Sequence, residues 1–309
     1  MRLVTRSDFD GLACAALLEE LGIVDSIYYT HPKDVQDGKI IVTENDVLAN
    51  VPYVQGCGLW FDHHSSEQER LQLKGKFKGA CEMEPSAARV IYNYYMKDGK
   101  NAAKLKRFEE MVTAVDKADS GKYTKEDILD PQGWMLLAFI ADPRTGLGLK
   151  RDFKMSNFDL MKSVPGMLRT KSLSDIFADP NMQDRVKAYR EENEAFKKFM
   201  KDTANVQGDA IVIDLRGKSN VPTGNRFMEY TLFPDQNISV RLADGRKGEF
   251  IMFSVGHSII NRTSNVDVGS LMLKNGGGGH KKVGTCQVKP DKADAVLAEI
   301  LAAINAAKK

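Results

Sequence analysis

The histidines of this chain are few, and three of them lie in two short motifs. Of five in total, two fall in Asp62-His63-His64, directly after the apolar run 58–61, and one ends the glycine run 276–280. Carboxylate and imidazole side chains at the end of a buried strand are suitable ligands for a divalent ion. A glycine-rich loop exposes backbone N–H groups, and a histidine beside it can carry positive charge, which suits a phosphate. Together the two motifs predict metal-dependent phosphoryl chemistry.

A further acidic motif precedes the first predicted helix. Asp8 and Asp10, followed by Gly11, come after a predicted strand at 3–5. Loops at the carboxyl ends of parallel strands line the crevice in which such sheets bind ligands, so both aspartates are candidate metal ligands. Acids are also favoured as caps at a helix N-terminus, and this simpler interpretation stays open for the motif taken alone.

Two more groups of residues extend the predicted site. Neighbouring side chains of an extended segment point to opposite faces, so we expect one of His63 and His64 to bind metal while the other faces substrate or core. Asp116 and Asp119 end an amphipathic helix, and one of them is expected to reach the site. Carboxylates with imidazole favour Mn²⁺, with Mg²⁺ or another divalent ion as the alternative. Four consecutive glycines indicate a backbone that must approach something closely.

The elements that position these residues indicate an α/β fold with two domains. The N-terminal part alternates apolar runs with amphipathic segments, which predicts a doubly wound, mainly parallel sheet. Its predicted strands are 3–5, 27–29, 39–42 and 58–61, and its predicted helices are 11–21, 85–96 and 102–115. Strands at 210–215, 238–242 and 250–255 with a closing helix at 293–306 predict a smaller mixed sheet. We assign 1–180 to the catalytic domain, 181–207 to a linker helix and 208–309 to a substrate-binding domain.

Composition excludes several classes of protein. The 309 residues carry a net charge of only +2, from 44 basic and 42 acidic side chains, so a long nucleic acid is not an expected partner. No apolar run approaches the roughly 18 residues that span a bilayer, so no membrane partner is expected. The sequence opens on a strand-like segment without a signal-peptide pattern. Its four cysteines show no CxxC pairing. A cytoplasmic location is therefore expected.

The order and spacing of Asp8-x-Asp10-Gly11, Asp62-His63-His64 and the run 276–280 resemble the DHH phosphoesterase superfamily with its DHHA1 domain. The resemblance covers essentially the whole chain. It implies a first domain that holds two divalent ions, usually Mn²⁺, and a second domain that binds substrate across the cleft. That superfamily includes RecJ-type nucleases, nanoRNA and cyclic-dinucleotide phosphodiesterases, and exopolyphosphatase-like proteins.

Carried over residue by residue, the resemblance assigns Asp8, Asp10 and His63 to metal binding. Asp62 would orient its neighbours or join the metal shell, and His64 would contact the phosphoryl group. Asp116 or Asp119 would be the late aspartate ligand. In the second domain, Gly277, Gly278, Gly279 and His280 would bind a distal phosphate. Arg262 and His257 stand in for the usual serine-and-arginine contact, with a plain loop role as the alternative.

Two departures from the family pattern concern the metal site. Arg6 and Val4 stand where many members place a ligand, and an arginine, which stays protonated, cannot bind a metal. Arg6 either faces the crevice and takes over part of the charge neutralisation, or turns outward to a surface acid. Thr43 stands where a bridging aspartate usually ends the strand, and Asp46 is the candidate replacement. The site is thus expected to hold one or two ions.

The resulting expectation is a metal-dependent phosphohydrolase of a small phosphorylated substrate. Short oligonucleotides, cyclic nucleotides or mononucleotides, and polyphosphate are the candidates, and a homodimer is left open. The competing hypothesis is a phospholigand-binding or nucleotide-binding protein with a degraded metal centre. Arg144 in the turn after residue 141 is a further candidate for the cleft, and a solvated turn residue is the simpler alternative.

Overall fold

A computed structural model describes residues 1–64, 77–149 and 152–307. The described strands are β1 Arg2–Thr5, β2 Ser26–Tyr29, β3 Asp46–Ala49, β4 Leu59–Asp62, β5 Gly79–Cys81, β6 Ala204–Gln207, β7 Ala210–Asp214, β8 Ile238–Asp244, β9 Ile251–His257, β10 Gly278–His280 and β11 Val283–Val288. The described α-helices are α1 Phe9–Glu20, α2 Pro32–Gln36, α3 Ala87–Met96, α4 Gly99–Leu105, α5 Glu109–Asp119, α6 Lys125–Leu129, α7 Gly133–Ala141, α8 Asn157–Thr170, α9 Leu173–Ala178, α10 Pro180–Thr203, α11 Met228–Leu232, α12 Val268–Lys274 and α13 Ala293–Ala306.

The chain divides into two compact units. The first comprises residues 1–122 and 131–188, and the second comprises 123–130 and 189–309. Both units combine helices with a sheet of their own, so the predicted α/β class is confirmed. Among the described residues, no helix is both long and apolar enough to cross a membrane.

The first unit is built on a five-stranded sheet in the order β2-β1-β3-β4-β5. Every strand pair in it is parallel. The central strands are largely buried, with Leu3, Val47 and Trp60 all inaccessible to solvent. This is the pattern of parallel strands that are covered on both faces.

The strand order creates a crevice at the carboxyl end of β1. The chain leaves β1 toward β2 on one side, and β3 lies on the other side of β1. In doubly wound sheets such a reversal of strand order opens the crevice in which ligands bind. The helix α1 begins there, and its first ten residues are buried. The residues that follow β1, β3 and β4 are therefore the ones placed to form a site.

Two predicted elements of this unit differ from the structure. The predicted strand 39–42 is a loop, and Ile41 within it is 82% exposed. The strand lies instead at Asp46–Ala49, because the Asp46 carboxylate accepts the backbone N–H of Thr43 at 2.7 Å and turns the chain into the sheet. The predicted helix 102–115 is two helices, α4 and α5, with a short 3₁₀ turn at Lys106–Phe108 between them.

The second unit is built on a six-stranded mixed sheet in the order β10-β11-β9-β8-β7-β6. Only β7 and β8 run parallel, and the other neighbours are antiparallel. One face packs against α12 and α13 in an apolar core that includes Val240, Phe253, Leu271, Met272 and Ile300. Buried and exposed residues alternate along β11, which is typical of a sheet with one solvated face.

Candidate metal centre

Asp8 follows β1 and caps the helix that begins next to it. Its Oδ1 accepts the backbone N–H of Gly11 at 3.1 Å, and the side chain is almost completely buried. A glycine is needed three residues later, since a Cβ on Gly11 would lie 2.0 Å from the carbonyl oxygen of Arg6. The motif thus packs the start of α1 tightly against the end of β1.

Asp10 caps a different helix from its own. Its two carboxylate oxygens accept the N–H groups of Ala87 at 3.0 Å and Ala88 at 2.8 Å, at the start of α3. The cap fixes the carboxylate at the positive end of that helix. Oδ1 also accepts from Cys14 Sγ at 3.7 Å, whereas Oδ2 retains a further lone pair on the side of His63, so the carboxylate can still bind an ion.

Asp62 ends β4 and organises the two histidines that follow it. Its Oδ1 accepts the backbone N–H of His63 at 2.8 Å and lies 2.7 Å from His64 Nδ1. Its Oδ2 is buried and has no hydrogen-bond partner in the described part of the chain. The two imidazole rings lie 4.4 Å apart. The expectation that they point to opposite faces is wrong, because the strand ends at Asp62 and the alternation of side chains ends with it.

His63 is oriented like a metal ligand. Its Nδ1 lies 3.1 Å from the carbonyl oxygen of Glu84, and donation to that oxygen leaves Nε2 as the acceptor nitrogen. Nε2 lies 3.2 Å from Asp119 Oδ2 and 3.9 Å from Asp10 Oδ2. This buried nitrogen therefore lies between two carboxylates. The ligand atoms of Asp10, His63 and Asp119 all lie within 4.8 Å of one another, so these residues fit a divalent ion.

The two late aspartates have different surroundings. Asp119 reaches the cluster described above, whereas Asp116 faces the start of α3. Asp116 accepts a hydrogen bond from the hydroxyl of Ser86 at 2.7 Å and from Arg89 Nε at 2.8 Å. Of the two candidates, the structure therefore brings Asp119 and not Asp116 to His63.

Burial and neighbouring charges shift the pKa values of the cluster in different directions. Burial and the charges of Asp119 and Asp8 raise the pKa of Asp10 to about 7. Burial opposes a charge on His63, but the Asp119 and Asp10 carboxylates outweigh it and raise the pKa of the imidazole to about 9. For Asp119, burial is outweighed by His63, His64 and Arg6, which hold its pKa below the ordinary value. Such a concentration of buried negative charge favours a bound cation.

Two guanidinium groups lie beside this acidic cluster. Arg6 Nη2 is 3.0 Å from Asp8 Oδ2, so Arg6 faces the crevice and does not pair with a surface acid. Arg144 donates two hydrogen bonds to Asp142, from Nε at 2.7 Å and from Nη2 at 2.8 Å. Burial opposes the charge of Arg144, but the carboxylates of Asp142, Asp8 and Asp119 raise the pKa of its guanidinium. The site thus combines carboxylates that attract a cation with positively charged guanidinium groups that attract an anion.

The prediction that Asp46 replaces the usual bridging aspartate is corrected by the structure. Asp46 begins β3, at the amino end of the sheet, where it pairs with Arg2 at 2.6 Å. The residue at the carboxyl end of β3 is Asn50, which the sequence analysis missed. Its Nδ2 donates a hydrogen bond to Asp8 Oδ1 at 3.2 Å. The error follows from the misplaced strand, since 39–42 was predicted in place of Asp46–Ala49.

In the second unit, the structure offers a packing reason for two of the predicted phosphate-binding glycines. A Cβ on Gly277 would lie 2.0 Å from the Thr285 carbonyl oxygen, and one on Gly279 would lie 2.3 Å from that of Val283. Both glycines therefore let β10 approach β11 closely. A Cβ on Gly278 would meet nothing within 4 Å, and His280 at the end of β10 is exposed. Gly278 and His280 therefore have space around them that Gly277 and Gly279 lack.

The other predicted substrate contacts of this unit are held within their own loops. His257 Nε2 lies 2.8 Å from the carbonyl oxygen of Val266, and burial lowers the pKa of the ring. Arg262 donates from Nε to the carbonyl oxygen of Ile259 at 2.9 Å. Both observations favour the structural alternative for these residues.

A polar row that the sequence analysis missed crosses the face of this sheet opposite α12 and α13, where Arg241 also pairs with the buried Glu229 at 2.9 Å. Arg241 in β8 pairs in register with Ser254 in β9, and Ser254 pairs with Thr285 in β11. Thr285 in turn pairs with Gly278 in β10. Directly opposed residues project to the same face of a sheet. Arg241 thus shares a face with the glycine motif, a relationship that only the strand register reveals.

Comparison with solved structures places the chain in a class. It is similar to a pGpG-specific phosphodiesterase, PggH, from Vibrio cholerae, with 39% identity over 99% of each chain and a TM-score of 0.83. A DHH-domain protein described as a member of a family of ribosomal proteins is 14% identical over 100% of this chain and 87% of its own, with a TM-score of 0.65. An exopolyphosphatase-related protein from Bacteroides fragilis is 13% identical over 97% and 91%, with a TM-score of 0.50.

This chain belongs to the DHH phosphoesterase superfamily. It is accordingly a phosphoesterase. No protein-family model and no curated protein matches the sequence. The two more distant structures are under 25% identical and support the fold alone.

Proposed function

We propose that this enzyme hydrolyses the phosphodiester bond of a short linear dinucleotide such as pGpG. The observation that carries the proposal is the convergence of Asp10, His63 and Asp119, whose ligand atoms all lie within 4.8 Å of one another. The substrate class is supported by the full-length similarity to a phosphodiesterase with that specificity. Addition of water across the bond would yield two mononucleotides.

Asp10, His63 and Asp119 would hold a divalent ion, with Asp62 Oδ2 as a further available oxygen. A set of carboxylates with one imidazole favours Mn²⁺ among the available ions. When bound, such an ion generates a nucleophile from water at neutral pH and polarises the phosphoryl oxygen. The Glu84 carbonyl oxygen and the N–H groups of α3 fix His63 and Asp10 before any ion arrives.

His64, Arg6 and Arg144 would act on the substrate. His64 is held by Asp62, and its side chain is 38% exposed, so the ring can contact a phosphoryl group while Asp62 fixes its orientation. Burial opposes a charge on His64, but Asp62 outweighs it and raises the pKa of the ring, which favours a proton donor. The guanidinium groups of Arg6 and Arg144 bind phosphate oxygens well because they are planar and permanently charged.

We propose that the second unit binds the part of the substrate away from the reacting phosphate. Gly278 and His280 are its accessible predicted phosphate contacts, and Arg241 lies on the same face of the sheet. A backbone N–H, an imidazole and a guanidinium are all suitable donors to a phosphate or a base edge. The division of roles predicted from the sequence, with residues 1–180 catalytic and 208–309 substrate-binding, is part of this proposal.

We also propose that the enzyme works in the cytoplasm. None of the four cysteines forms a disulfide, which fits a reducing compartment. Cys286 is buried, and the buried Cys14 donates from Sγ to Asp10 Oδ1 at 3.7 Å. Fractionation of cells that express a tagged chain tests this assignment.

A panel of substrates tests the proposed function. The protein with added Mn²⁺ is assayed on pGpG, pApA, a cyclic dinucleotide, long single-stranded DNA and polyphosphate, with product analysis by chromatography. We expect kcat/KM for a linear dinucleotide to exceed that for long DNA and for polyphosphate at least about tenfold, which corresponds to about 1.4 kcal/mol. Faster cleavage of polyphosphate would overturn the substrate class. Tight binding of pGpG without turnover would instead support the phospholigand-binding alternative.

A further inference from the structure

Asp8 differs from Asp10 because one of its oxygens pairs with a guanidinium, whereas the oxygens of Asp10 accept backbone N–H groups. Oδ1 accepts the Gly11 N–H at 3.1 Å and the Asn50 amide at 3.2 Å. Oδ2 pairs with Arg6 Nη2 at 3.0 Å. By contrast, Asp62 retains a buried oxygen without a partner among the described residues. A positive charge therefore already occupies the place beside Asp8 where a second cation would bind.

Asn50, the neighbour of Asp8, also differs from a metal ligand in its charge. It lies at the carboxyl end of β3, is 1% exposed, and adopts a left-handed backbone conformation with φ of 55°. Asparagine tolerates that conformation better than most residues, and aspartate tolerates it equally well. Its Oδ1 is buried and has no hydrogen-bond partner in the described chain, while its Nδ2 points at Asp8. The chain thus presents a neutral amide where an acid would fit the backbone.

The two halves of the crevice therefore differ in charge. One half contains Asp10, His63 and Asp119, which together favour a dication. The other half contains Asp8, which is paired with Arg6 and hydrogen-bonded to a neutral amide. A second dication there would have to displace a guanidinium from a buried carboxylate. Like charges at such short range repel strongly where water is excluded.

We infer that this chain binds one divalent ion, at Asp10, His63 and Asp119, and that Arg6 and Asn50 fill the place of a second ion beside Asp8. The inference rests on the proposed function and adds the number of ions and the group that replaces one of them. Arg6 then supplies the second positive charge that a phosphoryl group meets in the site. Because this charge belongs to the chain itself, the activity depends on the binding of a single ion.

Metal stoichiometry tests this inference directly. Protein freed of metal is titrated with Mn²⁺ from substoichiometric amounts to a large excess, by calorimetry and by elemental analysis after dialysis. Electron paramagnetic resonance then distinguishes isolated Mn²⁺ from an exchange-coupled pair. The informative variant is Arg6→Ala/Asn50→Asp, which removes the guanidinium and adds the missing acid. The matched control is Arg107→Ala/Asn45→Asp, which changes the net charge equally at exposed positions.

We expect one ion per chain and an uncoupled spectrum for the wild type and for the control. The Arg6→Ala/Asn50→Asp variant should bind two ions per chain and show a coupled spectrum. Two ions in the wild type would overturn this inference and leave the proposed function intact, whereas no bound ion would overturn both. A folded double variant, with a circular dichroism spectrum like the wild type, that still bound one ion would show that Arg6 and Asn50 do not occupy a metal site.

Discussion

The Glu84 carbonyl oxygen lies 3.1 Å from His63 Nδ1 and thereby turns Nε2 of that ring toward two carboxylates. The neighbouring ring of His64 is bound at its Nδ1 to Asp62 and is more exposed. Two adjacent histidines thus have different surroundings.

The two histidines are expected to differ in their effects on metal binding. His63→Ala removes a proposed ligand. Mn²⁺ affinity should therefore fall by more than the roughly 10- to 100-fold that is lost when a residue hydrogen-bonded to a ligand is replaced. His64→Ala should keep metal affinity within a few-fold and lower kcat by about 10²- to 10⁴-fold, as expected for loss of a proton donor. Calorimetric Mn²⁺ titration and steady-state kinetics measure the two effects. Equal loss of metal in both variants would refute this division of roles.

Metal binding is expected to release a proton at neutral pH. In the metal-free protein the pKa of His63 is raised to about 9, so the ring is protonated near pH 7.5 and must lose that proton before Nε2 can bind an ion. Mn²⁺ affinity should therefore rise with pH up to about 9 and then level off. Calorimetry in buffers with different ionisation enthalpies counts the released protons. A value near zero at pH 7.5 would contradict the assignment of His63 as a ligand.

Substitution of Asp119 is expected to change metal binding, and substitution of Asp116 is expected to change stability. Asp119→Asn should abolish tight metal binding, because Asp119 Oδ2 lies beside His63. Asp116→Asn should leave the ligands in place but weaken the contacts that Ser86 and Arg89 make with it. Loss of a hydrogen bond to a charged group lowers stability by about 1.5–3 kcal/mol. Urea unfolding of both metal-free variants measures this, and an unstable Asp119→Asn beside a stable Asp116→Asn would reverse the assignment.

Two substitutions can distinguish the packing role of the glycine motif from its proposed role in substrate binding. Gly277→Ala would place a methyl group 2.0 Å from the Thr285 carbonyl oxygen, so it should destabilise the second unit by about 1–3 kcal/mol. Gly278→Ala has open space and should change stability by less than about 0.5 kcal/mol. If the motif binds phosphate, Gly278→Ala should still raise KM. Thermal unfolding and kinetics test the pair, and an unchanged KM would remove this motif from the substrate site.

Much of the site could be predicted from residue types alone. Asp10, His63 and Asp119 are all candidate ligands, and the structure brings them together. Asp10 and His63 follow parallel strands whose carboxyl ends meet at one edge of the sheet, and Asp119 reaches them from the end of α5. Asn50 could not be predicted in the same way, because the Ile-Ile-Val run at 40–42 resembles a strand more strongly than Asp46–Ala49 does. Only burial distinguishes the two segments. Ile41 is exposed, and the whole of β3 is buried.

Other features depend on contacts between distant segments, which periodicity does not encode. Asp10 was weighed as a cap of its own helix, but it caps α3 instead, a contact that joins residues far apart in sequence. The polar row through Arg241 exists only once the register of four strands is fixed. The glycine motif was expected to approach a phosphate, yet two of its residues approach the neighbouring strand. Local sequence patterns identify such residues but not their partners.

Metal removal and restoration test the central claim most directly. The wild-type protein is stripped with EDTA, dialysed, and assayed on pGpG with Mn²⁺ added back in increments, beside Asp119→Asn treated in the same way. The account predicts that hydrolysis disappears on stripping and returns with Mn²⁺ in the wild type, while Asp119→Asn stays inactive at the same free Mn²⁺. Undiminished hydrolysis by the stripped wild-type protein, or full restoration in Asp119→Asn, would contradict it.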